Sequence, residues 1–366
     1  MELQAYIFFV LGKCIEYFYH FKPNNDYLTP YLMISAGKLG WKSVFFEELK
    51  ISAEEIIGKN KVVGISIDRN SSHVKQMRLA ITCYSPTHII YDPRSGPQGK
   101  INSKIDSIQL KLLISRFNIV PIIILPDASV RQHRNQAILL SGTKGVIVSF
   151  LSYKLTKKYF ANVKCIGPSL IPLSSHRYTK NFSQFEPYDI DADINFVGSN
   201  YPERQEFFNE LSTQLSALNS KITVNVREKS ENIDNDAYWK AIDESPFIVT
   251  TTFQSRSYTS LKQDFSDLNQ MVFRISEAFA RQKLLFCMHV PGMEEYLTAG
   301  EHYVEFYSAF DLATKLVFFS KHKELQKSIA ISGHKKFIEF QESGMFWINV
   351  QNRINKPLIA DDLDRR

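Results

Sequence analysis

The chain is poor in cysteine, with four among 366 residues. Cys14, Cys83, Cys165 and Cys287 stand far apart, mostly within apolar runs, and no two have the spacing of a metal-binding pair. That distribution excludes a disulfide framework or zinc site and leads us to expect buried thiols in a reducing compartment. Long hydrophobic runs are missing as well. The opening stretch "MELQAYIFFVLGKC" has no basic segment ahead of its short apolar run, so it reads as a first strand rather than a signal peptide or membrane span. A cytoplasmic protein is expected, with peripheral contact at the inner face of a membrane compatible with that reading. The sequence also lacks internal repeats, low-complexity tracts, helix-turn-helix and zinc-finger signatures, and paired RNA-binding aromatics. Its net charge of +6 is spread along the chain, and without such motifs it does not point to nucleic acid. It suits anionic partners instead: diphosphates, acidic glycans or acidic lipid surfaces.

What is present is enough for two cores. A hydrophobic content of 44% with 22% charged residues argues for a folded chain, and the length fits two α/β domains. Buried strands are expected at 5–12, 61–68, 87–94, 118–127, 144–150 and 162–172, with a shorter one at 42–49. Amphipathic helices are expected at 27–40 and 107–117. Short apolar runs alternating with helical stretches indicate a parallel sheet covered on both faces. The polar, aperiodic segment 173–191 reads as a linker. A second series then begins. Strands are expected at 192–199, 221–226, 246–251 and 283–290, and helices at 203–218, 234–245, 270–281 and 308–320, the last of them preceded by "HYVEF". The domains are thus 1–172, the linker 173–191, 192–340, and a helical tail at 341–366 that packs back across the linker. In such α/β proteins the site lies beyond the carboxyl ends of the strands.

Three stretches carry candidate chemistry. In "FRISEAFARQKLLFCMHVPGMEEY" (273–296), Glu277 is expected in the front half of a helix, where a carboxylate can accept two hydroxyl hydrogen bonds. A simple helix-end charge is the plainer reading. Arg274 shares that helix face and can pair with Glu277 or face phosphate. After the next strand, Gly292 suits a tight turn, with the amides of Met293, Glu294 and Glu295 available to an anion. The same residues could merely punctuate a loop, since no Walker or dinucleotide fingerprint is present. In "FVGSNYPERQEF" (196–207), Gly198 and Ser199 follow a strand, and Arg204 can reach an oxyanion from the next helix. An ordinary strand-to-helix turn explains that stretch equally well.

Taken in order, "DINFVGSNYPERQEF", "YWKAIDESPFIV", "FRISEAFARQKLLFCMHVPGMEEYLTAGEHYVEF" and "DLATKLVFFSKHKELQKSIAISGHKKF" resemble the nucleotide-sugar half of GT-B glycosyltransferases. The nearest resemblance is to the CgeB-like (spore-maturation-like) group, and it covers 192 to about 335. It implies two facing Rossmann-like domains, with the first half as acceptor domain. It also implies that Glu277 holds the donor ribose, that the turn from Gly292 to Glu294 lies near the diphosphate or sugar, and that Gly198, Ser199 and Arg204 border the diphosphate crevice. The chain departs from the family twice: Asn269 stands where many relatives have a glutamate eight positions before the ribose glutamate, and Gln282 where they have a glycine.

The implied reaction is displacement at an anomeric carbon with a nucleoside diphosphate leaving. Arginine, lysine and backbone donors can stabilise the leaving group. No Asp-x-Asp motif lies inside the matching region. "DIDAD" at 189–193 has such spacing but reads as the run into a strand, so no metal and no cofactor beyond the nucleotide-sugar donor are expected. An inverting reaction would need a base. Asp68 and Asp127 sit at strand ends, with His73 and His133 in following segments, and each is also an ordinary surface or capping residue. The expected acceptor is a growing glycan or glycolipid in cell-surface polysaccharide synthesis. The competing readings are a non-catalytic nucleotide- or glycan-binding protein of the same fold, and a sugar-nucleotide epimerase.

Overall fold

Runs of β-branched residues without a helical period dictate the first sheet. In the computed structural model, residues 10–11, 31–35, 40–67, 72–93, 102–126, 131–178, 187–189, 192–198, 202–228, 235–252 and 270–356 are described. Strands β1 (Tyr31–Ser35), β2 (Val62–Ser66), β3 (His88–Tyr91), β4 (Val120–Leu125), β5 (Val146–Ser149) and β6 (Cys165–Ile166) form one parallel sheet in the order β2-β1-β3-β4-β5-β6. Its central strands are buried on both faces: Leu32, Ile34, Ile89, Ile90 and Ile122 to Leu125 are fully inaccessible. Helices α1 (Gly40–Ile57), α2 (His73–Tyr84), α3 (Asn102–Arg116), α4 (Arg131–Ser141) and α5 (Tyr153–Phe160) connect the strands. Such burial matches the near-continuous apolar strands of a doubly wound sheet.

Two expectations fail here. The stretch 27–40 is not a helix, because Tyr31–Ser35 forms β1 between β2 and β3. The stretch 42–49 is not a strand, because it belongs to α1. Both are short apolar runs, for which period cannot separate strand from helix. The neighbours decide, since a central strand saturates its backbone on both sides. The strand expected at 5–12 lies outside the described residues except for Val10 and Leu11, which are helical.

The chain divides into two compact units, 1–169 with 346–366 and 170–345. The tail helix α11 (Met345–Asn355) belongs to the first unit from Phe346 onward. There Trp347 Nε1 donates to Ser52 Oγ at 3.2 Å in a buried site, and Lys164 Nζ donates to the Ile354 carbonyl.

The second unit has its own parallel strands. β7 (Asp193–Gly198) pairs with β8 (Thr223–Glu228), and β9 (Phe247–Thr250) and β11 (Val304–Phe306) flank β10 (Leu284–Met288). Helices α6 (Pro202–Ala217), α7 (Asn235–Asp243), α8 (Phe273–Ala280), α9 (Ala309–Ser320) and α10 (Lys323–Glu342) complete it. One aromatic-rich core unites the two sheets through Phe196, Phe208, Phe247, Phe286, Phe306 and Phe319. The architecture is two Rossmann-like units, the GT-B plan the sequence pattern implies.

The end of the stretch read as the first domain and part of the stretch read as a linker are bound into this second unit, which begins at Leu170. Ser276 Oγ donates to the Ile171 carbonyl at 2.7 Å, and Arg281 Nη1 to the Arg177 carbonyl at 3.1 Å. Arg177 and Arg281 each lie 4.7 Å from the Trp239 ring, within range of a cation–π contact. These contacts fix the end of α8.

That end has a sharp turn. Lys283 N donates to Ala278 O and Gln282 N to Phe279 O, and Gln282 has φ +52°. The pair of bonds is a Schellman motif, whose left-handed residue is usually glycine. The glycine of the resembling family is therefore a backbone requirement, which this chain meets with a glutamine. Gln282→Gly is expected to raise stability by about 1 kcal/mol, the strain relieved less the added freedom of the unfolded chain. Urea denaturation of the two proteins measures it.

Candidate functional site

The carboxyl ends of β7, β9 and β10 bring the candidate residues of the second unit to one edge. Because the strands are parallel, each ends on that edge, and the next helix or turn starts there. Neighbouring strands lie about 4.8 Å apart, so residues at adjacent ends serve one small ligand.

The first group surrounds Phe196. Arg204, in the first turn of α6, places its guanidinium carbon 4.8 Å from the Phe196 ring centre, and Arg274, near the start of α8, places its own at 5.2 Å. Arg204 Nε donates to Thr251 Oγ1 at 3.0 Å, just past the end of β9. Arg274 Nη2 donates to the Tyr238 hydroxyl at 3.1 Å, and its Nε lies 3.4 Å from Glu277 Oε2. Tyr238 donates to the same Glu277 oxygen at 2.7 Å. Glu277 is fully buried and the Arg274 side chain is 12% exposed.

The electrostatics follow from that burial. Desolvation opposes the charge on Arg274, but Tyr238 and Glu277 more than offset it and raise its pKa. Burial and the Glu277 carboxylate push the Tyr238 hydroxyl far above the ordinary tyrosine range, despite Arg274. Arg274 and Glu277 thus balance each other, and Arg204 brings a second guanidinium to the same ring. Two guanidiniums beside one carboxylate at strand ends form a positive site with planar, multidentate donors, suited to phosphate oxygens.

Glu277 does not sit where the sequence suggests. Helix α8 begins at Phe273, has no acid in its first turn, and carries Glu277 as its fifth residue. The charge is held by Arg274 and Tyr238 rather than by the helix dipole. A carboxylate offers about four lone-pair directions, and Oε2 alone takes the contacts from Tyr238 and Arg274.

The second group lies around the turn after β10. Gly292 has φ +95°, the left-handed conformation expected for it, and Met293–Glu295 make one short 3-10 turn. Two of the three amides expected to form a cradle there, those of Met293 and Glu295, are used from within, as is that of Gly292. Gly292 N donates to Glu294 Oε2 at 2.8 Å, Met293 N to the Val290 carbonyl and Glu295 N to the Gly292 carbonyl. Met293 is buried while Glu294 is exposed. The turn is shaped by its own acid, because a carboxylate two residues on reaches the glycine N–H more readily than solvent does.

Sequence reasoning missed the group beside this turn. His289 Nδ1 lies 2.8 Å from Glu305 Oε1. The Tyr303 hydroxyl donates to that oxygen at 3.1 Å and the Tyr307 hydroxyl to Glu305 Oε2 at 2.5 Å. Burial raises the Glu305 pKa, but the hydrogen bonds from Tyr307, His289 and Tyr303 outweigh it and hold it below the usual carboxylate range. The His289 and Tyr307 rings stack at 5.1 Å. The signal was legible: "YVEFY" sets Tyr303, Glu305 and Tyr307 at alternate positions, on one face of a strand. Tyr238 and Thr251, also missed, lie in segments expected as a helix and a strand but carry no charge pattern that marks them.

The first unit gives fewer of the expected residues. Asp68 and Asp127 lie outside the described residues, as do Ser199 and Asn269. Gly198 ends β7. His133 is half-buried in the first turn of α4. His73 opens α2 behind an N-cap in which Ser72 accepts from Lys75 N. Burial pushes its pKa down to about 4, and its Nε2 lies 3.4 Å from the Tyr91 hydroxyl. His73 is neutral at neutral pH, a hydrogen-bonding group rather than a strong base.

Among the described residues no three His, Cys, Asp or Glu side chains gather as metal ligands, and no helix is long and apolar enough to cross a membrane.

Residues 183–342 match the family model described as "Glycosyl transferase-like". The match takes in β7 to β11 and both groups of the site, but less than half of the chain. No curated protein matches this chain. Solved structures share its fold. A sucrose-phosphate synthase from Thermosynechococcus elongatus superposes with a TM-score of 0.55 at 10% identity, covering 89% of this chain and 98% of that one. Anabaena HepE in complex with UDP and glucose gives a TM-score of 0.49 at 13% identity, covering 91% and 99%. At 10% identity the likeness to the synthase is one of fold alone.

Proposed function

We propose that the chain is a glycosyltransferase that moves a sugar from a nucleotide-activated donor to an acceptor. The observation that carries this reading is the pair Arg204 and Arg274 on the Phe196 ring, beside the buried Glu277, within the segment that is glycosyltransferase-like. The two guanidiniums hold the donor diphosphate and stabilise the negative charge that develops as it leaves. Glu277, fixed by Tyr238 and Arg274, accepts the ribose hydroxyls. The turn from Gly292 to Glu294 borders the sugar, and Gly198 and Ser199 border the diphosphate. The reaction needs no metal in this scheme, because arginine supplies the charge.

The acceptor side lies in the first unit, with Asp68, Asp127, His73 and His133 as the groups that meet the acceptor hydroxyl. The acceptor is a glycan or glycolipid of a cell-surface polysaccharide, reached from the cytoplasmic side, in keeping with the sequence resemblance to the CgeB-like group. The glutamine at position 282 does not favour the non-catalytic reading, since it keeps the left-handed turn that the family's glycine makes.

The test is nucleoside diphosphate release from a panel of nucleotide sugars, with and without glycan acceptors. One donor is expected to turn over. Arg204→Ala should lower kcat/KM for it by about 10- to 100-fold, the loss of a charged hydrogen bond at a developing charge. Turnover that Arg204→Ala leaves untouched rejects the site, and absence of turnover with any donor rejects the activity.

A further inference from the structure

The first unit sorts its charge by face. The crossover from β1 to β2 steps one way across the sheet, and every later crossover steps the other way. Right-handed connections therefore put α1 on one face and α2 to α5 on the other. The packing agrees. Helix α2 lies against α3 and α3 against α4, and the Arg134 guanidinium carbon of α4 stands 4.1 Å from the Tyr159 ring centre of α5. The segments α2 to α5 hold ten lysines and arginines against one acid, Asp106. Helix α1 holds four glutamates against two lysines. The whole chain carries +6, less than the surplus of this one helical layer, so the rest of the protein is net acidic.

Part of that charge is spent inside the layer. Lys111 Nζ donates to the Leu140 carbonyl at 3.1 Å, and Arg134 is buried. The outward share includes Lys75, Arg78, Arg116, Lys154 and Lys158, all exposed. Helix α2 shows what this face is built for. Its His73, Met77, Ala80 and Ile81 are buried. Lys75, Arg78, Leu79 and Thr82 stand at i, i+3, i+4 and i+7, and all four are exposed, so they share the opposite stripe. Leu79 is 67% exposed, the most of any large apolar side chain among the described residues. A lone exposed leucine is ordinary. Between two cations, on a layer with a single acid, it gives α2 the make-up of an interfacial helix: charge for lipid phosphates and an apolar side chain for the acyl boundary. A polyanion in solution would answer the charge but leave Leu79 in water.

We infer that the face of the first unit formed by α2 to α5 docks on a bilayer of anionic lipid, with Lys75 and Arg78 at the headgroup phosphates and Leu79 entering the acyl boundary. The attachment is peripheral and reversible. Salt confines the attraction to cations within about 8 Å of the surface, and one leucine adds little to them. The inference stands apart from the sugar-transfer reading, since neither the charge of the layer nor the stripe on α2 depends on a donor.

Cosedimentation of the full chain with vesicles, without donor or acceptor, tests it. Vesicles of phosphatidylcholine alone should hold little of the parent. Vesicles with about one part in three phosphatidylglycerol should retain it, and raising the salt from about 0.1 M to about 0.5 M should release it. Lys75→Glu/Arg78→Glu should weaken retention by about 20-fold or more, since each cation near such a surface is worth about fivefold. Leu79→Ser should weaken it by about threefold and leave its salt dependence in place. Lys327→Glu/Lys335→Glu, the same change of charge at exposed positions of the second unit, should stay within about twofold of the parent. Circular dichroism melting checks that each variant is folded. A parent that ignores anionic vesicles, or a Lys75→Glu/Arg78→Glu variant that binds them as the parent does, overturns the inference. Equal loss in the second-unit variant would assign binding to net charge and overturn the role of this face. Retention that Leu79→Ser leaves untouched would reject the inserted side chain. A parent that sediments without vesicles would put a second copy of the chain where the bilayer is placed.

Discussion

Arg274→Leu is expected to destabilise the second unit by about 3–5 kcal/mol, the cost of stranding one partner of a buried ion pair. Glu277 is fully buried and the Arg274 side chain is 12% exposed, so a carboxylate left without its guanidinium is poorly compensated. Glu277→Leu should cost a similar amount, because Arg274 is then left charged beside the Phe196 and Tyr238 rings. The double variant Arg274→Leu/Glu277→Leu should recover most of the loss, since a buried pair of charges is seldom better than apolar groups of like size. Urea denaturation of the four proteins gives the coupling energy of the cycle. A large coupling with a stable double variant means the pair does not hold the fold together. It is then a functional device, and the double variant should be folded and unable to bind nucleotide. Additive losses would mean that the two residues act independently, which the shared Tyr238 contact contradicts.

Gly333→Ala carries the second large effect. A methyl group there would stand 2.3 Å from the His302 carbonyl oxygen and 2.6 Å from Phe279 Cε1. The first neighbour is backbone and cannot swing away, so α10 must shift off α8 and the turn at His302. Overpacking of this kind costs about 1–3 kcal/mol, and a valine should cost more. In a unit of this size each kcal/mol lowers the melting midpoint by roughly 2–4 °C. The consequence reaches the site, because α10 also holds the end of α8 through His334 Nδ1 and the Phe279 carbonyl at 2.7 Å. Differential scanning calorimetry of the alanine variant checks the shift.

Much of the second unit was legible in the sequence. Strands β7 to β10 and helices α6 to α9 lie within or close to the segments expected for them, because apolar runs there are separated by clear amphipathic helices. The first unit was less so between residues 27 and 57, where strand and helix exchanged places. "YLMIS" carries no period of its own, and its identity as a strand comes from β2 and β3 on either side. At the site, Arg204, Arg274 and Glu277 could be singled out because charged residues at strand and helix ends draw attention. What they touch could not. The Phe196 ring beneath both arginines and the Tyr238 hydroxyl on Glu277 come from other elements, 8 residues from Arg204 and 39 from Glu277 along the chain. At Gly292 a glycine before two acids suggests an open turn, yet Glu294 folds back onto the glycine N–H.

The central claim is that the second unit holds a nucleotide through Arg204, Arg274 and Glu277, and metal-free calorimetric titration with nucleoside diphosphates tests it most directly. The account predicts that one diphosphate binds selectively to the parent, and that Glu277→Gln, which keeps the shape of the side chain, weakens it clearly. Selective binding that survives Glu277→Gln unchanged would contradict the part given to that carboxylate, and a folded parent that binds no nucleotide would contradict the claim itself.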